Sequence, residues 1–254
     1  MKFLLLFLTC FLLISCNKPT DYDNFIDEIS RYPTFNKELD YLYFNEYKKT
    51  NNYVLALNKV NHPNFYNTTS NQIMFDNIML INKFHGVDSN FIPDNLVVVE
   101  NVDYIKRPNE VMYIDENALL NYQDMVNDAK KQNINLVLYS AYRTYEKQQS
   151  LWSDVPTFDN MYLAVPGYSE HHTGLALDIS TLEDGLTKNK SKAYNYLKDN
   201  AHKFGFILRY PENKESITGY NYEPWHFRYV GPIADEMFRE NLTLEEFIYN
   251  YVAI

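Results

Sequence analysis

Apolar and polar positions after about residue 76 predict short strands that interleave irregularly with helices. Leu175, Leu177 and Ile179 alternate with smaller or polar residues, which is the period of a strand with one apolar face. Short apolar runs indicate further strands, and the run at 96–99 is expected to be a buried strand. These runs lie at 96–99, 134–139, 206–209 and 225–230.

Helical spacing and helix-terminal residues predict the remaining elements of this region. Asp115 precedes a helix that ends near residues 132–133, polar helix formers follow Thr144, and residues 191–204 form a helix closed by a glycine. A capping-box spacing at Thr243-Leu244-Glu245-Glu246 predicts a C-terminal helix. No glycine-rich phosphate loop follows a strand, so a doubly wound nucleotide-binding fold is disfavoured. We expect an α+β fold with a small, mostly antiparallel sheet flanked by helices.

The first 75 residues have a different pattern. Lys2 precedes an uncharged apolar run at 3–14, which has the layout of a secretory signal and is shorter than the roughly 20 residues that span a bilayer. A polar stretch then predicts a tether, and aromatic residues at roughly helical spacing predict a small helical appendage. The expected division is signal peptide 1–15, tether 16–35, appendage 36–75 and main domain 76–254.

The end of the apolar run carries a specific motif. Leu13-Ile14-Ser15-Cys16 resembles the bacterial lipobox, in which cleavage leaves the cysteine as the lipidated N-terminus. The resemblance implies a lipid anchor on Cys16 at the extracytoplasmic face of a bacterial cell membrane. The alternatives are a plain cleaved signal and a short buried apolar element. Cys10 and Cys16 are the two cysteines of the chain, so a mature chain would have no disulfide, and a metal site would use His, Asp and Glu.

Composition excludes some function classes. The 254 residues include 33 acidic and 23 basic side chains, for a net charge of −10. Nucleic-acid binding is disfavoured, because no basic excess is present to neutralise phosphates. Aromatic residues make up 16% of the chain, which indicates a packed protein.

One segment combines two histidines with an aspartate. His171 and His172 come just before a Gly turn, and Asp178 shares a strand face with Ala176 and Ser180, small residues that leave room for an ion. A hydrolytic zinc site needs three such ligands and an open fourth position. On this segment alone, a strand-edge aspartate with two surface histidines remains the alternative.

A second segment places a carboxylate near an imidazole. Glu223 and His226 are three residues apart across the bend at Pro224. His226 can then act as a ligand and Glu223 as the base that moves a proton from water to a leaving amine. The alternative is a surface glutamate beside a core histidine flanked by aromatic residues.

Together the two segments resemble a known family. Ser169-x-His171-x-x-Gly174-x-Ala176-x-Asp178 followed by Glu223-x-x-His226 is similar to the zinc D-alanyl-D-alanine carboxypeptidases of the VanY type, in the group with hedgehog-like folds. The resemblance covers about residues 78–240. It includes the segments 140–148, 166–168, 206–211 and 217–220.

The resemblance assigns a metal site. It implies one zinc ion per chain, bound at the sheet by His171, Asp178 and His226, with Glu223 as general base and acid. It also implies that His172 supports the site without being a ligand. Residues 76–254 would then be a zinc peptidase domain.

The resemblance further implies a substrate site. Arg143 would hold the substrate, since a guanidinium has paired donors for a terminal carboxylate or a scissile carbonyl. A structural ion pair is the alternative for Arg143. Gln148 and Ser169 are candidate hydrogen-bonding residues of the substrate pocket, with purely structural roles as their alternative. Val165 stands where the family often has Arg, which leaves specificity open.

The implied activity is removal of the C-terminal D-Ala from peptidoglycan stem peptides. An L,D-carboxypeptidase acting on tetrapeptide stems is the closest alternative, because L,D-carboxypeptidases of the same family share these motifs. A catalytically silent cell-wall binding lipoprotein is a third possibility. Glu223 argues against the silent binder, which has no need of a base beside the metal.

Overall fold

The structure is a computed structural model that describes residues 20–32, 35–51, 53–63, 73–75, 78–154, 161–186 and 190–252. The α-helices are α1 (Asp21–Ile29), α2 (Asp40–Thr50), α3 (Tyr53–Asn61), α4 (Glu116–Lys131), α5 (Tyr145–Ser153), α6 (Lys192–Asn200), α7 (Glu215–Thr218), α8 (Ala234–Arg239) and α9 (Leu244–Val252). The strands are β1 (Ile73–Phe75), β2 (Ile78–Leu80), β3 (Leu96–Val98), β4 (Tyr113–Asp115), β5 (Val137–Ser140), β6 (Ala176–Ser180), β7 (Phe206–Leu208) and β8 (His226–Tyr229). Short 3₁₀ helices lie at Lys37–Leu39, Glu170–Thr173, Ala201–Phe204 and Gly231–Ile233.

A four-stranded sheet with the order β5-β6-β8-β7 organises the main domain. Each neighbouring pair of strands in it is antiparallel. Two further antiparallel pairs, β1 with β2 and β3 with β4, lie outside this sheet. The predicted α+β class with a small antiparallel sheet and flanking helices is confirmed.

The two faces of β6 have different surroundings. Leu177 and Ile179 belong to the largest hydrophobic cluster, which also includes buried side chains of α4 and α6. Asp178 lies between them in sequence and therefore points to the opposite face. That face is covered as well, because all five residues of β6 are buried. The polar residues on it are consequently held in an enclosed environment.

Side-chain caps set where three of the helices begin. Asp115 is the N-cap of α4, and Thr144 is the N-cap of α5; each side chain accepts a hydrogen bond from a backbone N–H of the first turn. Thr243 and Glu246 exchange side-chain and backbone hydrogen bonds at the start of α9. All three helix starts were predicted from these residues.

The strand predictions need three corrections. The strand expected at 134–139 is β5, which begins three residues later because Ile134 still donates its N–H to Ala129 at the end of α4. β3 is only half-buried, and Val98 is exposed. β1, β2 and β4 were not predicted, since each has only three residues, and β4 runs directly into the N-cap of α4.

Gly174 fixes the spacing between the 3₁₀ helix Glu170–Thr173 and β6. Its φ of +71° is in the left-handed region that favours glycine. A Cβ atom at this position would lie 2.7 Å from Cδ2 of Leu96 and 3.1 Å from the backbone nitrogen of Asp115. The glycine therefore lets the chain turn closely against the β3–β4 pair before it enters β6.

Helix α1 corrects the expectation that residues 16–35 are only a tether. Thr20 and Asp23 form a capping box at its start. Phe25 and Ile29, one turn apart, are buried in a cluster with side chains of α2 and α3. The capping box and this apolar pair stabilise a helix where the polar composition alone suggested an extended segment.

The appendage expected at 36–75 contains α2 and α3, as the helical spacing predicted, and ends in β1. β1 pairs with β2 across the expected boundary near residue 76, and α3 contacts α7. The division of the chain at that residue stays a prediction.

The signal-peptide and lipid-anchor predictions concern residues 1–16, which lie outside the described residues. They stay predictions. In the part of the chain that the structure describes, no helix has the length and apolar character needed to cross a bilayer.

Candidate metal centre

Strand pairing and one turn bring the three predicted ligands together. Asp178 of β6 and His226 of β8 are direct partners across the antiparallel pair. His171 belongs to the 3₁₀ helix Glu170–Thr173, which precedes β6 and ends at Gly174. One donor atom from each of the three side chains lies within 4.8 Å of the others, and all three residues are buried.

The donor atoms have the spacing that a zinc ion requires. Nε2 of His171 lies 3.4 Å from Oδ2 of Asp178, and Nδ1 of His226 lies 3.3 Å from Oδ1 of Asp178. Two ligands at about 2.05 Å from a tetrahedral zinc lie about 3.3 Å apart. Oδ1 of Asp178 is a buried oxygen with no hydrogen-bond partner among the described residues. The residues present therefore fit one zinc ion with two imidazoles and one carboxylate.

The surroundings of His171 prepare it to bind a metal. Its Nδ1–H donates to the backbone carbonyl of Ala141 at 2.6 Å, so the lone pair lies on Nε2, which faces Asp178. Burial lowers the pKa of His171, with the positive charge of Arg143 acting in the same direction and Asp178 opposing it. The neutral ligand form is thereby favoured.

Asp178 and His226 form a tightly coupled pair. Burial on its own would raise the pKa of Asp178, but His171 and His226 hold it well below its usual range. Burial would likewise lower the pKa of His226, yet the adjacent carboxylates of Asp178 and Glu170 raise it to about 9. The two carboxylates lie near different nitrogens of the His226 ring, Asp178 near Nδ1 and Glu170 near Nε2.

Glu223 lies beside the ligand cluster. It precedes β8, and its backbone N–H donates to Tyr210 at 3.1 Å. Its Oε2 is 3.5 Å from Nδ1 of His226, and the residue is 5% exposed. Burial raises the pKa of Glu223 to about 8, although the charges of His226 and Arg143 act against it. A cation held by the neighbouring ligands would oppose this effect of burial and favour the carboxylate form, which can accept a proton.

Arg143 follows β5 and is held by two side chains. Nη1 donates to Oε1 of Gln148 at 2.8 Å, and Nη2 donates to Oγ of Ser140 at 3.2 Å. Gln148 in turn donates to the backbone carbonyl of Ala164 at 2.6 Å. Burial lowers the pKa of Arg143, and the charges of Asp178 and Glu223 oppose this effect, although among the described residues neither forms a salt bridge with it. Its role in holding the substrate stays a prediction.

The structure places the other two predicted substrate-site residues, Ser169 and Gln148, differently relative to the cavity. Ser169 lines the same cavity as Arg143, and its hydroxyl does not cap the following 3₁₀ helix. Gln148 is fully buried on α5 and does not line the cavity. Gln148 reaches the site through its hydrogen bond with Arg143, and a direct contact of Gln148 with substrate stays a prediction.

His172 is a structural neighbour of the site. Its Nδ1–H donates to the backbone carbonyl of Arg143 at 2.7 Å, and its Nε2 accepts from the N–H of Gly167 at 3.1 Å. Both ring nitrogens are engaged, so His172 supports the backbone of Arg143 and is unavailable as a ligand. Neither His171 nor His172 is the surface histidine of the alternative interpretation.

A cavity of about 190 Å³ connects the ligand cluster with Glu223 and Arg143. Aromatic side chains form much of its remaining wall. They are Tyr162, Tyr210, Tyr220 and Trp225. The cavity therefore combines a metal-binding group, a base and a cation in one partly apolar enclosure.

Sequence reasoning missed a buried ionic network next to this cavity. Glu170 accepts hydrogen bonds from Arg209 at 2.8 Å and Arg228 at 2.9 Å, and Arg209 also pairs with Glu245. These partners are 39 and 58 residues from Glu170 along the chain. No local spacing signals such contacts. This network of two carboxylates and two guanidinium groups, which balance in charge, could be found only from the fold.

The antiparallel sheet, the His-Asp-His group and the adjacent buried glutamate define a zinc metallopeptidase. Comparison with known proteins agrees with this class. A family model described as VanY, D-alanyl-D-alanine carboxypeptidase, matches residues 111–232. The bifunctional D-Ala-D-Ala dipeptidase and D-Ala-D-Ala carboxypeptidase VanXYC of Enterococcus gallinarum is 34% identical over 194 residues, which cover 69% of this chain and 95% of that relative.

Two solved structures are also similar. The LD-carboxypeptidase LdcB has a TM-score of 0.62 and 32% identity, covering 74% of this chain and 95% of its own. A variant of the vancomycin-resistance D,D-pentapeptidase VanY from the VanB-type cassette, in complex with Zn(II), has a TM-score of 0.56 and 32% identity, covering 66% and 97%. The chain belongs to the VanY family of D-alanyl-D-alanine carboxypeptidases.

Proposed function

We propose that the protein is a zinc-dependent carboxypeptidase that removes the C-terminal D-Ala from peptidoglycan stem peptides. The observation that carries the proposal is the placement of Glu223 and Arg143 in one cavity with His171, Asp178 and His226. Hydrolysis at a peptide terminus requires an electrophilic centre, a base and a cation that recognises a carboxylate or stabilises an oxyanion. This cavity supplies all three.

His171, Asp178 and His226 are the residues that would hold the zinc. When bound, zinc supplies Lewis-acid polarisation of the scissile carbonyl and lowers the pKa of a coordinated water. With only three protein ligands, a bound zinc would keep one coordination position for water or substrate.

Glu223 acts as base and then as acid. Its carboxylate is beside the ligand cluster, where a bound cation would favour the charged form that accepts a proton from the attacking water. It returns this proton to the nitrogen of the departing D-Ala. The buried position of Glu223 keeps bulk water from competing for the proton.

Arg143 binds the substrate. Its two terminal nitrogens are oriented by Gln148 and Ser140, which leaves the rest of the guanidinium fork to face the cavity. The fork matches the terminal carboxylate of D-Ala or the oxyanion of the tetrahedral intermediate. Ser169 offers a hydroxyl on the same wall.

A second candidate is an L,D-carboxypeptidase that acts on tetrapeptide stems. The similarity to the LD-carboxypeptidase LdcB favours it. Both reactions need the same ligands, base and arginine, so they differ in the residue that precedes the scissile bond, which is D-Ala in the pentapeptide and an L-amino acid in the tetrapeptide.

Incubation of purified zinc-loaded protein with pentapeptide and tetrapeptide muropeptides tests the proposal. We expect the mass of the pentapeptide to fall by one alanine residue, with free D-Ala released. Release from the tetrapeptide alone would replace the first candidate with the second, and release from neither would overturn both. Glu223→Gln, prepared in parallel, controls for contaminating peptidases.

We further propose that Cys16 carries a lipid and holds the enzyme at the extracytoplasmic face of the cell membrane. The lipobox-like Leu13-Ile14-Ser15-Cys16 after the apolar run at 3–14 supports this location. Cells grown with labelled palmitate should label the wild-type protein and not Cys16→Ala. Equal labelling of both, or of neither, would overturn the anchor.

A further inference from the structure

Glu170 lies directly behind one of the three ligands. It precedes His171 in the 3₁₀ helix Glu170–Thr173, and its side chain is completely buried. Its Oε2 is 3.5 Å from Nε2 of His226, on the side of the imidazole opposite to Asp178. Neither Oε2 of Glu170 nor Nε2 of His226 has a hydrogen-bond partner among the described residues.

The two oxygens of Glu170 are used differently. Oε1 accepts from Nε of Arg209 at 2.8 Å and from Nη1 of Arg228 at 2.9 Å. Glu245, by contrast, accepts from Arg209 with both of its oxygens, at 2.6 and 2.8 Å. If Glu170 served only to neutralise the arginines, its second oxygen would also face a guanidinium. It faces His226 instead.

We propose that Glu170 is a positioning residue that fixes the tautomer and orientation of the ligand His226. A carboxylate oxygen can only accept, so it selects the form of the imidazole that has a proton on Nε2 and a lone pair on Nδ1. Nδ1 is the nitrogen that faces Asp178 and Glu223. Carboxylate partners of this kind orient metal-binding histidines and strengthen metal affinity. The inference rests on the proposed role of His226 as a ligand.

The arginines hold Glu170 in this orientation. Arg228 lies two residues after His226 on β8, so both side chains are on the same face of the sheet. Arg228 also donates to the backbone carbonyl of Met79 at 2.9 Å, and Arg209 is clamped by Glu245 of α9. The network therefore ties the orientation of His226 to β2 and to the C-terminal helix.

Glu170→Gln is the sharpest test, because it preserves shape and reverses polarity at His226. The arginines can only donate, so the amide oxygen of Gln turns to them and its NH₂ group faces Nε2 of His226. That arrangement favours a lone pair on Nε2 and a proton on Nδ1, the wrong tautomer for binding. We expect zinc affinity, measured by competition with a chromophoric chelator, to fall on the order of 10- to 100-fold.

Glu245→Gln is the matched control. It also removes a buried carboxylate from Arg209, but Glu245 does not contact His226. We expect its zinc affinity to stay within about threefold of wild type, whatever it does to the melting temperature. Equal weakening of zinc binding in both variants would reduce Glu170 to a structural role and overturn the inference.

Nitrogen-15 NMR of the zinc-loaded wild-type protein gives a second readout that does not depend on the folding of a variant. The inference predicts a protonated Nε2 and a metal-bound Nδ1 for His226, and the opposite assignment would overturn it. If the wild-type protein binds no zinc at all, the proposed function fails. If it binds zinc and Glu170→Gln binds equally well, only the role of Glu170 fails.

Discussion

Arg143 donates from Nη1 to Oε1 of Gln148 at 2.8 Å, and Gln148 is fully buried. The glutamine therefore fixes the guanidinium without reaching the cavity. We expect Gln148→Ala to lower kcat/KM on the order of 10- to 100-fold, since a small displacement of a substrate-binding group has effects of that size. Steady-state kinetics with a pentapeptide substrate measure it.

The neighbouring Gln149 is exposed on the same helix and provides the control for Gln148. Gln149→Ala should retain the kinetics of the wild-type protein, and both variants should retain zinc. Wild-type kcat/KM in Gln148→Ala would show that Arg143 needs no support from α5.

Gly174 and Gly185 form a matched pair for testing the close turn before β6. Both have positive φ, but a Cβ at Gly174 meets Leu96 and the backbone of Asp115, whereas a Cβ at Gly185 meets nothing within 4 Å. We expect Gly185→Ala to cost about 1 kcal/mol of stability from backbone strain, and Gly174→Ala about 3 kcal/mol. Urea unfolding measures the difference. Equal losses of stability in the two variants would mean that the close contact of Gly174 with the β3–β4 pair adds nothing to the cost of the substitution.

Metal binding should contribute to stability. A ligand that binds only the folded state stabilises it by about 4 kcal/mol at a thousand times its Kd. For a protein of this size, removal of zinc by a chelator should therefore lower Tm on the order of 10 °C. His226→Ala should melt at the same temperature with and without chelator. An unchanged Tm for the wild-type protein would contradict a zinc bound to these buried ligands.

The metal-free protein should lose stability as pH rises from about 6.5 to about 9. Burial alone would lower the pKa of His226, but Asp178 and Glu170 raise it to about 9. A histidine with a raised pKa stabilises the folded state fully below its ordinary value of about 6.5, and this contribution is lost as pH passes the folded value. Burial raises the pKa of Glu223 to about 8, which removes stability in the same direction between about 4.5 and 8.

Thermal melting of EDTA-treated protein at pH 6.5 and pH 9 measures this loss. The zinc-loaded protein serves as the control, because zinc replaces the proton on His226 and its affinity rises with pH. A metal-free protein that melts at the same temperature at both pH values would show that the pKa values of His226 and Glu223 are not raised in the folded state.

The sequence was sufficient to predict those parts of the fold that depend on local residues. The N-caps Asp115 and Thr144 act within one helical turn. The alternation of apolar residues with Asp178 along β6 shows directly that Asp178 is on the face opposite to the apolar core. The three candidate ligands could be named for a related reason, since each lies in a short segment with a fixed spacing of chemically distinctive residues.

The parts that escaped prediction depend on contacts between distant residues. Glu170 is an acidic residue in a polar segment, and its importance comes from Arg209 and Arg228, which only the folding of β7 and β8 brings near it. The role of Gln148 depends on whether its side chain points into the cavity or behind Arg143, which spacing along α5 does not specify. Helix α1 is stabilised by burial of Phe25 against α2 and α3.

The most direct test of the account compares the wild-type protein with Glu223→Gln in one set of samples. D-Ala release from a pentapeptide muropeptide and zinc content are measured together. We expect the wild-type protein to turn over with about one zinc per chain, and Glu223→Gln to keep its zinc while activity falls on the order of 10³-fold, the contribution of a general base. Full activity in Glu223→Gln, or zinc-loaded wild-type protein that releases no alanine, would contradict the assignment of this cavity as the active site.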